Sequence, residues 1–188
     1  MKITISGTLG SGKSTVGKLL AKELNYNYYY TGGITRNMAE KKGMTLLEFT
    51  KLRETHPEIN LEIDEYQRKI GEKENNFVID GHLGFHFVPD SIKIFLKCDL
   101  QTATTRILKS LKEGNKQRIT EGLETNHDKI INSLEQRHAT EVKQYVELYN
   151  VDIDDESNFD IVIDTSNISP EEICKNILTI IKNKQSSL

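Results

Sequence analysis

The sequence predicts an α/β domain in which a parallel sheet carries helices on both faces, and three observations carry that expectation. Short apolar runs of strand length alternate along the chain with longer segments of helical period. The first run, Ile3-Thr4-Ile5, passes through a glycine-rich turn directly into a helical stretch, an arrangement that places ligands at the carboxyl ends of strands. No Pro-, Gly- or Ser-rich linker divides the 188 residues, a length that suits one domain, 1–188, with a substantial core.

Lys2 to Ser6 is expected to be a buried strand and Lys13 to Leu24 a helix, since Val16, Leu19, Leu20 and Leu24 share one face. Tyr26 to Tyr30 has the aromatic content of a second strand. Alternate packing into and out of a sheet explains these tyrosines better than base stacking does. Thr31-Gly32-Gly33 is expected to turn the chain into a helix that begins near Ile34 and stops at Gly43. From Thr45 to Glu72 the pattern is helical and heavily charged, with Thr45 and Glu48 spaced as a capping box and Pro57 placed to begin a second segment. Phe77 to Asp80 and Ile92 to Leu96 are two interior strands.

Leu100 to Leu111 is helical, and the polar stretch Lys112 to Thr125 is expected to be a mobile loop over bound phosphates. Asn126 to Tyr149 is a long helix whose buried stripe is expected at Ile130, Ile131, Leu134, Val142, Tyr145, Val146 and Tyr149. Phe159 to Ile163 is the last strand. Ser169-Pro170-Glu171-Glu172 then opens a helix with Ile173 to Ile181 as its apolar part. In such a sheet the loops after Ser6, Tyr30 and Asp80 share one rim, which gathers Lys13, Arg36 and Asp80 although they are scattered in sequence.

Gly7-Thr8-Leu9-Gly10-Ser11-Gly12-Lys13-Ser14 fits the phosphate-binding pattern G-x-x-x-x-G-K-[ST] in the strand–turn–helix context that it requires. Its glycines let successive backbone N–H groups face an anion, Lys13 brings positive charge to terminal phosphates, and Ser14 offers a hydroxyl to Mg²⁺. A nucleoside triphosphate is the expected ligand, on Gly7, Gly10, Ser11, Gly12, Lys13, Ser14 and Thr15. Asp80-Gly81 has the form of a turn cap, but an acid at the end of an apolar strand beside this loop suits orientation of the metal better. Arg36, one short turn after Thr31-Gly32-Gly33, suits a phosphate contact.

A hydrophobic fraction of 36%, a charged fraction of 28% and a formal net charge of −3 describe an ordinary globular chain without the basic excess that nucleic acid would call for. Cys98 and Cys174 lack metal-ligand spacing and sit in apolar surroundings, so buried free thiols are expected in a cytoplasmic protein. No charged leader, signal core or membrane-spanning run is present in the sequence. His82 and His86 lack a third partner for zinc, and the acids at Asp152, Asp154, Asp155 and Glu156 lack the glycine and terminal glutamate of a Ca²⁺ loop.

Taken with the turn Thr31 to Arg36, the segment Gly43 to Phe49, Glu62-Ile63-Asp64 with Gln67, Asp80-Gly81, and Val151 to Asp155 followed by Phe159-Asp160, the phosphate motif resembles that of the nucleoside monophosphate kinases of the P-loop superfamily. The resemblance is strongest to the short, archaeal-like cytidylate kinases and covers nearly the whole chain. It implies a five-stranded parallel sheet, a helical region at 31–76 that binds the monophosphate, a lid at 112–125, and ATP with Mg²⁺ as donor. It further implies conversion of CMP or dCMP to the diphosphate; a monomer is expected, with no nucleic-acid polymer and no membrane as partner.

By position, Thr31 and Arg36 resemble residues that hold the acceptor phosphate, Asp80 resembles the acid that orients the metal's water shell, and Arg106 and Arg137 resemble arginines near the lid. Two departures leave the acceptor open, with another nucleotide, a small hydroxyl compound, or a weakly active ATP-binding switch as the alternatives. Gly81-His82 stands where related sequences tend to read Gly-Arg, and Glu65-Tyr66-Gln67 stands where they carry paired arginines before a glutamine. Arg68, Arg118 or Lys116 are candidates to supply the lost charge, and His82 is a candidate for the acceptor pocket. No Ser/His/Asp triad is present, and none is needed, because phosphoryl transfer rests on alignment and charge neutralisation. Lys13, Arg36, Asp80, Arg118 and Arg137 are therefore the expected catalytic set, with Ser14 and Asp80 toward the metal.

Overall fold

The computed structural model describes residues 1–56, 58–115, 119, 121 and 123–186. Strands β1 (Lys2–Gly7), β2 (Asn27–Tyr30), β3 (Phe77–Asp80), β4 (Ile92–Lys97) and β5 (Ile161–Asp164) form one parallel sheet in the order β2-β3-β1-β4-β5. The central strand is buried on both faces, as a parallel sheet with helical crossovers requires. Ile3 and Ile5 are fully buried and pack into a core shared by helices α1 (Lys13–Leu24) and α8 (Pro170–Ser186), through Val16, Leu20, Ile173 and Ile177. Thr4 points to the other face, where its hydroxyl meets that of Ser91 at 2.9 Å.

Between β2 and β5 the chain forms further helices. The first are α2 (Thr31–Lys41), α3 (Leu46–Thr55) and α4 (Glu58–Lys73); then come the single turn α5 (Gly84–Phe87), α6 (Leu100–Lys112) and the long α7 (His127–Tyr149). Ile70 of α4 packs with Phe77, Ile79 and Val88, while Ile107 and Leu111 of α6 pack with Ile130 and Leu134 of α7. Registration does the functional work: Ile5 pairs with Asp80, and so does Tyr30, so the ends of β1, β2 and β3 lie on one rim.

Several boundaries differ from expectation for local physical reasons. β2 starts at Asn27, because Asn25 takes a left-handed conformation at the end of α1 and the Tyr26 N–H donates to Ala21 O at 2.8 Å. Helix α2 begins at Thr31, so Gly32 and Gly33 form its first turn instead of a separate bend. The Tyr30 ring lies over that turn, and a Cβ on Gly33 would stand 2.8 Å from it. β5 starts at Ile161, after a 3-10 turn at Glu156–Asn158, with Phe159 packed against Phe85 and Phe95.

The capping box at Thr45 and Glu48 is present, whereas Pro57 lies outside the described residues. The stripe of α7 departs from expectation: Glu141 and Gln144 are buried while Val146 is 43% exposed. Both cysteines are free thiols, Cys174 buried and Cys98 half-buried. Among the described residues no helix is long and apolar enough to cross a membrane.

Candidate active site

The turn between β1 and α1 is held open by its own backbone. Gly7 lies so close to β4 that a Cβ would stand 1.9 Å from Leu96 O, and Gly10, at φ 79°, would meet Ala103 at 2.7 Å. Gly12 caps α1 in the left-handed region at φ 89°, with no side chain on the helix N-terminus and no acid in the first turn. Uncapped N–H groups and a helix dipole thus point out of the turn. Lys13 sits at its mouth, where its ammonium donates to Gly7 O and Thr8 O, both at 2.7 Å.

Asp80 enters the same space from β3. It is 1% exposed, and its Oδ2 accepts from Ser14 Oγ at 2.5 Å and from the Tyr28 hydroxyl at 2.9 Å. Burial pushes this carboxyl above its ordinary range, against the pull of Lys13, the two hydroxyls and Arg36. Burial, with Asp80 beside it, also pushes the Tyr28 hydroxyl up, so it stays protonated and donates. The Thr31 hydroxyl donates to Asp80 O at 2.9 Å and locks the start of α2 against β3. Gly81 must lack a Cβ there, because one would stand 1.9 Å from Thr31 Oγ1.

A cleft of about 150 Å³ extends from this cradle to a buried, charged wall. Arg36 of α2 lines it. Its Nη2 and Nε donate to Glu121 Oε1 at 2.5 and 3.1 Å, and its guanidinium lies 5.3 Å from the centre of the Tyr30 ring. Arg53 of α3, 5% exposed, lines it too and donates through Nε to Asn60 Oδ1 at 2.6 Å. From α7 come Arg137 and Glu141, joined from Nε to Oε1 at 3.0 Å. From α4 come Asp64, which accepts from the Tyr149 hydroxyl, and Gln67.

Electrostatics at the wall follow from burial. Burial holds the His82 imidazole down at about 3, with Lys13 and Arg137 adding to it and Glu141 opposing. His82 is therefore a neutral group at neutral pH, although its Nε2 lies 3.7 Å from Glu141 Oε2. Burial raises the Glu141 carboxyl, but Arg137 and His82 outweigh it and draw the group down to about 2. Glu141 is accordingly ionised and serves as the counter-charge of Arg137.

The cleft gathers Gly10, Gly12, Lys13, Ser14 and Thr15 with Thr31, Arg36, Asp80, His82 and Arg137. Gly7 shapes the cradle from beneath. Ser11 and Arg106 lie on its far side, lining a second cavity with Ile168 and Pro170. There Arg106 Nη2 donates to Thr165 O at 2.6 Å, and the Thr165 hydroxyl donates to Ser11 O at 3.0 Å, which ties the turn after β5 to the cradle.

Arg68 does not line the cleft. It is exposed and stacks 4.9 Å over the Phe87 ring, because α4 turns Ile63, Asp64, Gln67 and Ile70 inward and the next residue after Gln67 outward. Arg118 and Lys116 lie outside the described residues, as does part of the expected lid at 112–125.

Arg53, Glu121, Glu141 and Tyr28 were not anticipated. A signal existed for two of them. Arg53 falls seven residues after Leu46 on the face that also holds Phe49, and Glu141 falls on the stripe through Ile130, Leu134 and Tyr145.

Comparison with known proteins agrees with this geometry. The model of the cytidylate kinase-like family matches residues 2–167. The cytidylate kinase of Thermoplasma volcanium is 35% identical over 182 residues, which cover 95% of this chain and 90% of that protein. The cytidylate kinase of Methanocaldococcus jannaschii is 36% identical over 183 residues, covering 97% and 98%. Among solved structures, a shikimate kinase from Bacteroides thetaiotaomicron superposes with a TM-score of 0.62 at 17% identity, over 97% of this chain and 98% of that one, which shows a shared P-loop kinase fold. Because the matched region spans the sheet, the phosphate cradle and every helix of the charged wall, the chain belongs to the cytidylate kinase-like family.

Proposed function

We propose that the protein transfers the γ-phosphoryl group of ATP to a nucleoside monophosphate, with CMP or dCMP as acceptor. One observation carries this reading: a single cleft joins Lys13 and Ser14 at the cradle to the guanidinium groups of Arg36, Arg53 and Arg137. The triphosphate tail lies on the turn from Gly7 to Thr15, and the acceptor phosphate lies against Arg36, on the helical region 31–76. Arg106 serves the nucleotide end through its clamp on Thr165. Asp64 and Gln67 offer an acceptor and an amide at the far end, which suit a base that carries both an amine and a carbonyl.

In the transfer, an oxygen of the acceptor phosphate bonds to the γ-phosphorus while the bond to the β–γ bridging oxygen breaks, and that electron pair leaves with ADP. The acceptor oxygen is anionic near neutral pH, so the step needs no general base. Lys13 leaves the loop carbonyls for the phosphates, and Arg36 and Arg137 neutralise the charge that spreads over the moving group. Ser14 and Asp80 present a hydroxyl and a carboxylate, hard oxygen donors that fit Mg²⁺ with its remaining waters. When bound, that ion offsets phosphate charge.

ADP formation from ATP and Mg²⁺ against a panel of CMP, dCMP, UMP, AMP and GMP tests the proposal. Turnover with CMP and dCMP ahead of the others is expected. Turnover with none overturns the reaction, and preference for a purine monophosphate overturns the acceptor.

A further inference from the structure

From β2 we infer that Tyr28 is a positioning residue for Asp80: its hydroxyl holds one carboxylate oxygen in place so that the other faces the nucleotide's metal. The inference rests on the reading of Ser14 and Asp80 as the magnesium side of the nucleotide site. A ring in this edge strand needs no hydroxyl for packing, since Tyr28 stacks on Tyr30 with centroids 6.5 Å apart and planes 14° from parallel. The hydroxyl instead reaches across the sheet from β2 to the end of β3 and donates to Asp80 Oδ2 at 2.9 Å.

The geometry divides the carboxylate into two roles. Ser14 and Tyr28 both donate to Oδ2, and among the described residues no hydrogen bond engages Oδ1, although Asp80 lines the cleft. Ser14 is the hydroxyl that the cradle motif offers to the cation. Once it turns to that task its hold on Oδ2 loosens, and the Tyr28 hydroxyl is the donor that remains. A phenol with an ordinary pKa of about 10 keeps its proton throughout the neutral range, so this tether does not switch off. Without it, the carboxylate is free to rotate about its terminal torsion, and a buried acid must be re-oriented each time a hydrated cation arrives.

Tyr28→Phe in the full chain tests the inference through binding, without turnover. ADP is titrated calorimetrically into wild type and variant, in the absence of Mg²⁺ and at saturating Mg²⁺. The wild type is expected to gain affinity for ADP on adding Mg²⁺, and the variant to show that gain reduced by about tenfold, the loss of one hydrogen bond to a charged group. In an Asp80→Asn background the same substitution is expected to have no further effect. An equal Mg²⁺-dependent gain in wild type and Tyr28→Phe overturns the role of Tyr28. If the wild type itself gains nothing from Mg²⁺, the reading of Ser14 and Asp80 falls instead.

A measurement on the unmodified protein covers the case of an unstable variant. With ¹³C-labelled tyrosine, the Tyr28 Cζ resonance is expected to shift when Mg²⁺ is added to the ADP complex. A resonance that ignores Mg²⁺ refutes the inference.

Discussion

Arg36→Ala is the obvious probe of the acceptor site, and the structure explains why that variant alone misleads. Arg36 and Glu121 form a pair with side chains 13% and 2% exposed, at 2.5 Å. Deleting the arginine breaks a buried charge pair, which costs about 3 to 5 kcal/mol, a large part of the roughly 5 to 15 kcal/mol that holds a domain together. A lower rate would then report unfolding as much as lost binding. The double variant Arg36→Gln with Glu121→Gln removes both charges and keeps two polar side chains of similar volume. Its stability is expected to lie closer to wild type than that of Arg36→Ala, as read from urea unfolding.

The functional expectation for the double variant is sharper. A charge-assisted hydrogen bond is worth about 1.5 to 3 kcal/mol, so the KM for the monophosphate should rise about ten- to a hundredfold. The KM for ATP should change little, because Lys13 and the cradle are untouched. Initial rates of ADP formation, with each substrate varied while the other saturates, supply both numbers. A wild-type KM for the monophosphate in the folded double variant would show that Arg36 does not hold the acceptor, and equal rises for both substrates would place it on the wrong side of the cleft.

Three further outcomes are expected. Lys13→Ala should cost about a hundredfold or more in kcat with little change in the thermal midpoint, since Lys13 is only partly buried at the mouth of the cradle; a well-folded variant of comparable activity excludes this site. His82, held at about 3 when folded against an ordinary 6.5, takes up its proton first in the unfolded chain, so its contribution to stability is complete above pH 6.5 and is lost as pH falls toward 3. Glu141, at about 2 against 4.5, adds its own loss only below pH 4.5. His82→Gln should therefore flatten the decline in urea midpoint between pH 6.5 and 4.5 and leave only the Glu141 part of the decline below that window, and an unchanged slope between pH 6.5 and 4.5 would contradict the burial of a neutral imidazole. Gly81→Ala should lower both stability and monophosphate affinity, since the added methyl collides with Thr31 Oγ1 at the junction of β3 and α2; unchanged circular dichroism melting and an unchanged KM would show that this junction gives way freely.

What the sequence determined by itself is what depends on neighbours along the chain. The cradle from Gly7 to Ser14 is contiguous, and its glycine conformations, its uncapped helix start and its lysine follow from local stereochemistry. Strand order along the chain, the capping box at Thr45 and the site of Asp80 at the end of an apolar run were legible for the same reason. The inward face of α1 and the free thiols were legible as well, from period and composition alone.

Tertiary structure decided which charges are inside. A lone arginine or glutamate on a helix has the composition of a solvated face, and only the packing of α3 and α4 against α7 turns Arg53 and Glu141 inward while leaving Arg68 outside. Glu121 meets Arg36 across 85 residues, and Tyr28 meets Asp80 across 52. Such contacts have no local signature, because they are fixed by strand register and helix packing. The burial that makes a charge pair strong and an imidazole neutral is itself a property of the assembled layers.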